Sequence, residues 1–158
     1  MLGSVTKCKE VGDLFMFMGE YKHNIDAKGR LIIPSKFRDQ CDASVVVTRG
    51  FEGCLALYTE AGWQEYYNKL QTLPKNKKEV RSFVRMITSR ASACEFDKLG
   101  RINIPSVLRE VGDLTKECVI VGVGDHIEIW SQASWDAYYN ENKDNFDEIS
   151  ESLEGFEI

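Results

Sequence analysis

The sequence predicts an α+β protein in which one unit of short strands and helices occurs twice. The segment from Asp26 to Arg38 recurs 71 residues later, from Asp97 to Arg109, with Asp, Gly, Arg, Pro, Ser and Arg at matching positions. Later matches, such as Trp63 with Trp135, follow at an offset of 72 residues. Each copy covers only about 45 residues, a size at which a separate core is marginal. We therefore expect a pseudo-two-fold molecule whose two copies share a core.

Each copy begins with a strand, a tight turn and a second strand. The expected strands lie at residues 20–25, 30–33, 91–96 and 101–104. Asp26 and Asp97 are suited to accept hydrogen bonds from nearby backbone N–H groups in the turn. Gly29 and Gly100 can adopt the positive φ that such a turn requires. These four residues are therefore predicted to form the turns.

The rest of each copy is predicted to contain a short helix, two strands and a longer helix. Pro34 and Pro105 are suited to open the short helices. Glycine-rich loops separate the next strands. Those strands are expected at residues 44–48, 54–58, 117–121 and 127–130. Thr59 and Ser131 are predicted to cap the longer helices, because their hydroxyl oxygens can accept from unpaired N–H groups of the first turn.

An amphipathic helix beginning at Pro74 is expected to link the copies, since apolar residues at 80, 83, 84 and 87 fall on one face. The chain is thus divided into a leader at 1–15, a first repeat with its helix at 16–73, the linking helix at 74–89, a second repeat with its helix at 90–143 and an acidic tail at 144–158. The tail is expected to be a fraying helix or disordered.

The leader has no counterpart before the second repeat. Lys9 to Gly12 are the residues that a purine-rich ribosome-binding sequence would encode if it were translated. We hypothesise that residues 1–15 are not native and that the true start is Met16 or Met18.

Composition disfavours several classes of protein. No apolar run approaches the roughly 20 residues of a membrane helix, and residues 1–16 lack the pattern of a signal peptide. A cytoplasmic protein without a membrane partner is therefore expected. The five cysteines are scattered without a C-x-x-C pair and only two histidines are present, so we expect buried thiols in a reducing compartment and no metal site.

The net charge of −5 conceals an uneven distribution. Residues 66–101 hold nine Lys and Arg against three acids, whereas residues 124–158 hold one Lys against ten acids. Local potential matters more than total charge when a polyanion approaches a protein. A basic body with an acidic end is therefore compatible with nucleic-acid binding.

Arg30 and Arg101 are the strongest candidates for DNA contact. Each follows a turn glycine, and the planar guanidinium suits phosphates or the O6/N7 edge of guanine. The alternative is that each arginine pairs with the aspartate of its own turn and only holds that turn. Lys28 and Lys98 are candidates for the same surface. Arg38 and Arg109 could contact phosphates or could be solvated helix residues.

Two further groups of residues have ordinary alternatives. The cations of the linking helix could track phosphates, but a solvated outer face is the favoured interpretation. They are Lys75, Lys77, Lys78, Arg81 and Arg85. Trp63, Trp135, Tyr66 and Tyr138 recur at helical spacing, which favours core or subunit packing over base stacking.

Signals for an enzyme are weak. The sequence contains no P-loop, no G-x-S-x-G and no H-E-x-x-H motif. Its Gly-Val-Gly at residues 122–124 lacks the third glycine of a dinucleotide site. We expect no catalytic residues, no cofactor and no small-molecule substrate.

The paired Asp-x-x-x-Arg repeats, each followed by apolar-x-apolar-Pro, resemble the MraZ family of bacterial transcriptional regulators. The opening Met16 to Tyr21 also resembles the start of that family, and the similarity extends to about Tyr139. It implies an AbrB-like double swapped-hairpin β-barrel with flanking helices, in which one chain carries both interlocking units. The key arginine of the family maps onto Arg30, with Arg101 as its counterpart.

The resemblance also implies function. It predicts a ring-like homo-oligomer that binds closely spaced direct repeats in double-stranded promoter DNA of the cell-division and cell-wall gene cluster, and hence a nucleoid-associated protein. The second repeat departs from the pattern, because Lys98 and Leu99 stand where the first has Ala27 and Lys28. The alternative is an AbrB-like, antitoxin-type module that binds a protein partner.

Overall fold

The structure is a computed structural model that describes residues 16–158, so the hypothesis about the leader lies outside the described residues. It has a mixed α+β fold, as predicted. The strands are β1 Phe17–Asn24, β2 Arg30–Ile32, β3 Ser44–Arg49, β4 Leu55–Thr59, β5 Ser92–Glu95, β6 Arg101–Asn103, β7 Glu117–Gly124 and β8 Ile127–Ser131. The helices are α1 Ser35–Arg38, α2 Glu60–Gln71, α3 Lys78–Thr88, α4 Ser106–Gly112, α5 Gln132–Asp144 and α6 Phe146–Glu151.

The two repeats exchange their first strands. β1 of the first repeat pairs antiparallel with β7 of the second, and β5 of the second pairs antiparallel with β3 of the first. β4 and β8 join the repeats at the centre of the same sheet. Each repeat therefore depends on a strand of the other, which fits the expectation of a shared core.

The main sheet has the order β1-β7-β8-β4-β3-β5, and β2 pairs with β6 in a separate two-stranded sheet. A closed barrel is therefore not confirmed. After β1 and after β5 the chain turns at Asp26 or Asp97 and continues into the two-stranded sheet, which we call the β2–β6 ribbon. The two end strands of the main sheet consequently remain its edges.

One hydrophobic core contains equivalent residues of both repeats. Leu31 and Ile102 lie directly opposite each other across the ribbon and are 0% and 1% exposed. Phe37 of α1 and Leu108 of α4 are buried in the same cluster. Burying such a side chain contributes about 1.5–3 kcal/mol, so the inward face of the ribbon anchors it firmly to the body.

The predicted caps of the longer helices are confirmed. Thr59 Oγ1 accepts from the N–H of Gly62 at 2.9 Å, and Ser131 Oγ accepts from the N–H of Ser134 at 3.1 Å. Each hydroxyl satisfies one donor that would otherwise lack a partner at the start of α2 or α5.

The predicted start of the linking helix is wrong. α3 begins at Lys78, because the carbonyl of Pro74 accepts from the N–H of Lys77 in a turn and Lys77 itself is extended. The acidic tail contains the short helix α6, which agrees with the helical alternative. Among the described residues, no helix has both the length and the apolar character that a membrane span requires.

Candidate nucleic-acid interface

The first turn is organised around the carboxylate of Asp26. Its Oδ1 accepts from the backbone N–H groups of Lys28 at 3.0 Å and Arg30 at 2.9 Å, while Oδ2 accepts from Arg30 Nε at 2.7 Å. Gly29 has φ +90°, as the tight turn requires. The same carboxylate thus shapes the backbone and fixes the side chain of Arg30.

The second turn repeats this arrangement. Asp97 Oδ1 accepts from the N–H groups of Leu99 and Arg101, both at 2.9 Å, and Oδ2 accepts from Arg101 Nε at 2.7 Å. Gly100 has φ +78°. The predicted turn-forming role of the aspartates and glycines is therefore observed in both copies.

Pairing with aspartate does not use all the donors of the two arginines. Each carboxylate takes Nε, and within residues 16–158 the Nη groups of Arg30 and Arg101 have no hydrogen-bond partner. The two side chains are 36% and 25% exposed. The turn-holding alternative and the DNA-facing prediction are thus compatible, because a fixed guanidinium can still present its outer edge.

Both arginines lie on the same face of the β2–β6 ribbon. Arg30 is opposite Asn103 and Arg101 is opposite Ile32, while Leu31 and Ile102 point inward between them. Residues on such a diagonal are about 7–8 Å apart. The sequence predicted two basic loops, and the structure joins them into one surface.

The same face carries two residues that sequence reasoning missed. Asn103 is exposed, and Ile32 is 37% exposed although it is apolar. An asparagine amide can pair with the N6/N7 edge of adenine, and an apolar group can contact the methyl of thymine. Alternation along each strand could have found both residues, since position 32 shares a face with Arg30 and position 103 shares a face with Arg101.

Arg38 and Arg109 brace the turns of the opposite repeat. Arg38 Nε donates to the carbonyl of Ile33 at 2.8 Å, and Arg109 Nε donates to that of Ile104 at 3.0 Å. A Cβ added to Gly100 would lie 2.5 Å from Arg38 Cζ, and one added to Gly29 would lie 2.8 Å from Arg109 Nε. Neither arginine is a freely solvated helix residue, and both are half-buried.

Lys28 and Lys98 are exposed near the tips of the turns, but at different positions. Lys28 is matched in the second turn by Leu99, which is 66% exposed. Hydrogen bonds from the backbone and the guanidinium of Arg30 lower the pKa of Asp26 to about 2. The pKa of Asp97 is lowered for the same reasons. Both carboxylates therefore stay ionised at neutral pH, each paired with the arginine of its own turn.

Little in the described part of the chain suggests other chemistry. Across residues 16–158, no three His, Cys, Asp or Glu side chains are grouped so that they could hold a metal ion. Cys54, Cys94 and Cys118 are buried and not bridged, as expected for thiols that pack as small apolar groups. Burial raises the pKa of Cys118 to about 11, which makes this thiol a poor nucleophile.

Comparison with known proteins agrees with the repeat. The model of a family described as "MraZ protein, putative antitoxin-like" matches twice, at residues 16–86 and 87–156. A protein named transcriptional regulator MraZ from Ligilactobacillus salivarius is 54% identical over 90% of this chain and 100% of its own length. One of the same name from Pediococcus pentosaceus is 53% identical over 89% of this chain and 99% of its own.

Both relatives are named as regulators of transcription. The expectation of a non-enzyme is therefore confirmed by family membership. With both repeats matched, and each repeat contributing one strand to the ribbon, this chain belongs to the MraZ family of transcriptional regulators.

Proposed function

We propose that the chain is a sequence-specific DNA-binding regulator that inserts the exposed face of the β2–β6 ribbon into the major groove. The observation that carries this proposal is the position of Arg30 and Arg101 on one ribbon face. Each is fixed through Nε, and its Nη groups form no hydrogen bond with the described residues. The major groove admits a two-stranded ribbon, and arginine is the commonest reader of guanine there.

The other cations surround this reading face. Lys28 and Lys98 are positioned at the turn tips to contact phosphates, which fix the register of a protein on the duplex. Arg38 and Arg109 support the turns and present their remaining N–H groups to the same backbone. All six predicted DNA-binding residues thus belong to one proposed surface, with base reading by the ribbon arginines.

The proposed regulator acts as a ring-like homo-oligomer on direct repeats in the promoter of the cell-division and cell-wall gene cluster. One ribbon offers few contacts, so each would bind weakly. In an assembly, later contacts are effectively intramolecular and raise the overall affinity. Repeats spaced near one helical turn would meet successive ribbons on one side of the duplex.

We further propose that the exchange of β1 and β5 corresponds to the swapped-hairpin arrangement of AbrB-like proteins. The division into repeats at 16–73 and 90–143, a linker at 74–89 and a tail at 144–158 remains part of this proposal. A regulator of this kind would be cytoplasmic and nucleoid-associated.

The test is fluorescence anisotropy with the protein's own upstream DNA and a scrambled duplex, at several salt concentrations. We expect the wild type to prefer its own promoter. Arg30→Ala and Arg101→Ala should each reduce that preference by about tenfold or more, the worth of a bidentate base contact. Arg30→Lys keeps the positive charge but lacks the planar guanidinium with its two parallel donors. It should therefore retain non-specific binding and lose the preference for promoter DNA.

Arg90 is the matched control, since it is an exposed arginine outside the ribbon. Arg90→Ala should leave promoter preference unchanged. Equal weakening of both duplexes by Arg30→Ala would make Arg30 a phosphate contact. Wild-type protein that binds neither duplex at low salt would refute the DNA-binding proposal.

A second candidate function is that of an antitoxin-type module. The description of the matched family includes the words antitoxin-like, and the acidic C-terminal end of the chain is exposed. This function requires a stoichiometric protein partner. Purification of the native protein without such a partner, together with promoter preference, would exclude it.

A further inference from the structure

Two exposed surfaces within residues 16–158 carry opposite charge. The first, which we call the acidic face, lies at the C-terminal end. Its exposed apolar residues are Tyr139, Phe146, Ile149, Leu153 and Phe156. Phe146 and Phe156 are 66% and 70% exposed, which is unusual for large aromatic side chains.

We call the apolar residues of the acidic face the stripe. Phe146 and Ile149 are three residues apart on α6 and share a side of that helix, and Leu153 and Phe156 follow in the turns after it. Phe146 and Ile149 also line an open groove with five residues of α5, one of them a lysine: Trp135, Tyr138, Tyr139, Asn142 and Lys143. A stripe next to a groove is typical of a surface that is covered in an assembly.

Carboxylates flank this stripe and none is neutralised. Asp147, Glu148, Glu151 and Glu154 are exposed, and residues 144–158 contain no lysine or arginine. Within the described residues, none of these four carboxylates forms an ion pair. The occupant of the acidic face must therefore be apolar in its centre and basic at its rim.

The second surface has that composition. The basic face carries five exposed cations against the one carboxylate of residues 75–85, Glu79: Lys75, Lys77, Lys78, Arg81 and Arg85. Within residues 16–158 these cations form no ion pair; Lys75 Nζ and Arg81 Nη1 donate only to an amide oxygen and a carbonyl. Met86 of α3 is 49% exposed, and Phe51, which stacks on Phe83 of the same helix, is 62% exposed.

We propose that the acidic face of one copy of this chain docks on the basic face of a second copy. The two surfaces differ, so the contact is heterologous, and repetition of a heterologous contact generates a ring when the rotation closes. This inference rests on the homo-oligomer of the proposed function and names the surfaces that build it. It also gives the linking helix a role in assembly instead of phosphate contact.

The test measures assembly of the full chain by light scattering after gel filtration, without DNA. The acidic-face variant is Asp147→Lys/Glu148→Lys/Glu151→Lys, and the basic-face variant is Lys78→Glu/Arg81→Glu/Arg85→Glu. Each should raise the concentration at half assembly by about tenfold or more, because like charges then face each other. Added salt should weaken wild-type assembly.

Mixing the two charge-reversed variants is the decisive experiment for whether the two faces contact each other. Each reversed surface then meets its complement on the other variant, so an equimolar mixture should regain assembly as an alternating oligomer. One chain carrying both sets of reversals should also assemble. The matched control, Glu20→Lys/Glu110→Lys/Glu117→Lys, changes the charge equally at exposed sites elsewhere and should assemble like the wild type.

Several outcomes would overturn the inference. They are normal assembly of either reversed variant, failure of the mixture although both variants show wild-type circular dichroism, and a wild-type chain that stays monomeric. A monomeric wild type that still prefers its own promoter would leave the regulator proposal standing. Assembly that follows the charge swaps in a protein without promoter preference would refute the regulator and support the interface.

Discussion

The two turns of the ribbon show which parts of the duplicated unit are constrained. In both, the aspartate accepts two backbone N–H groups at 2.9–3.0 Å and one Nε at 2.7 Å. The tips differ, since Lys28 has its counterpart in the exposed Leu99. The carboxylate, glycine and arginine form a fixed frame, whereas the tip can vary without disturbing it.

A second pair of equivalent positions has diverged more deeply. In the first repeat, Tyr58 stacks on His126 of the β7–β8 hairpin, with ring centroids 4.9 Å apart. At the corresponding place of the second repeat, Trp130 packs with the buried thiol of Cys54. The contact of Tyr58 with His126 therefore contains an imidazole that can change its charge near neutral pH. The contact of Trp130 with Cys54 contains no such group.

The largest expected effect tests whether the repeats contribute equally to the core. Leu31→Ala and Ile102→Ala should each lower the free energy of unfolding by about 2–5 kcal/mol, because each removes a fully buried side chain from the ribbon. Ile32→Ala is the control on the exposed face and should cost far less. Denaturant unfolding followed by circular dichroism measures all three, and unequal costs for Leu31 and Ile102 would break the equivalence.

Much of this frame could be predicted from the sequence because it is local. The turns, the strands beside them and the caps at Thr59 and Ser131 depend on residues within four positions of each other. The exception is Pro74, which favoured a helix start but forms a turn that ends at Lys77. Proline is compatible with both structures, so its presence alone could not decide.

What could not be predicted depends on contacts between the repeats. No local pattern places Arg109 against Gly29 or Arg38 against Gly100, since these contacts require the fold. The single ribbon face of Arg30 and Arg101 likewise follows from the pairing of β2 with β6, more than 70 residues apart in the chain. The cations themselves could be predicted from the sequence, but their positions relative to one another depend on the pairing of the strands.

The next effect concerns how the turn aspartates position the arginines. Asp26→Asn keeps an oxygen for the backbone donors but loses the charge that holds Arg30 Nε, so promoter preference should fall by about tenfold. Asp97→Asn should do the same through Arg101. Binding curves on promoter and scrambled DNA measure both; a loss confined to Asp26→Asn would show that only the first turn reads bases.

The tips of the turns should have a smaller, salt-dependent effect. Lys28→Leu should reduce the slope of log K against log salt by about one, and Leu99→Lys should increase it by about one, because each changes one phosphate contact. The exchange Lys28→Leu/Leu99→Lys conserves charge and should restore the wild-type slope. If its promoter preference is also that of the wild type, the two tips are interchangeable.

The smallest effect is a pH dependence at the diverged contact. Burial alone would lower the pKa of His126, but the carboxylates of Glu128, at 3.8 Å, and Asp125, at 2.7 Å, outweigh it and raise the pKa above its ordinary value. From β4 the ring of Tyr58 stacks on the imidazole, and Tyr66 of α2 stacks on Tyr58. Burial raises the pKa of both phenols, which therefore stay protonated at neutral pH.

A raised pKa in the folded state means that protonated His126 stabilises the fold. This stabilisation is fully present below the unfolded-state pKa and is lost as pH rises through the folded-state pKa. The Tm of the wild type should therefore fall as pH rises from slightly acidic to slightly alkaline values. His126→Gln should remove this component and His23→Gln should retain it. If Tm depends on pH with the same slope in both variants, the titrating group is not His126. The Tyr58–His126 and Trp130–Cys54 contacts would then be equivalent in their response to pH.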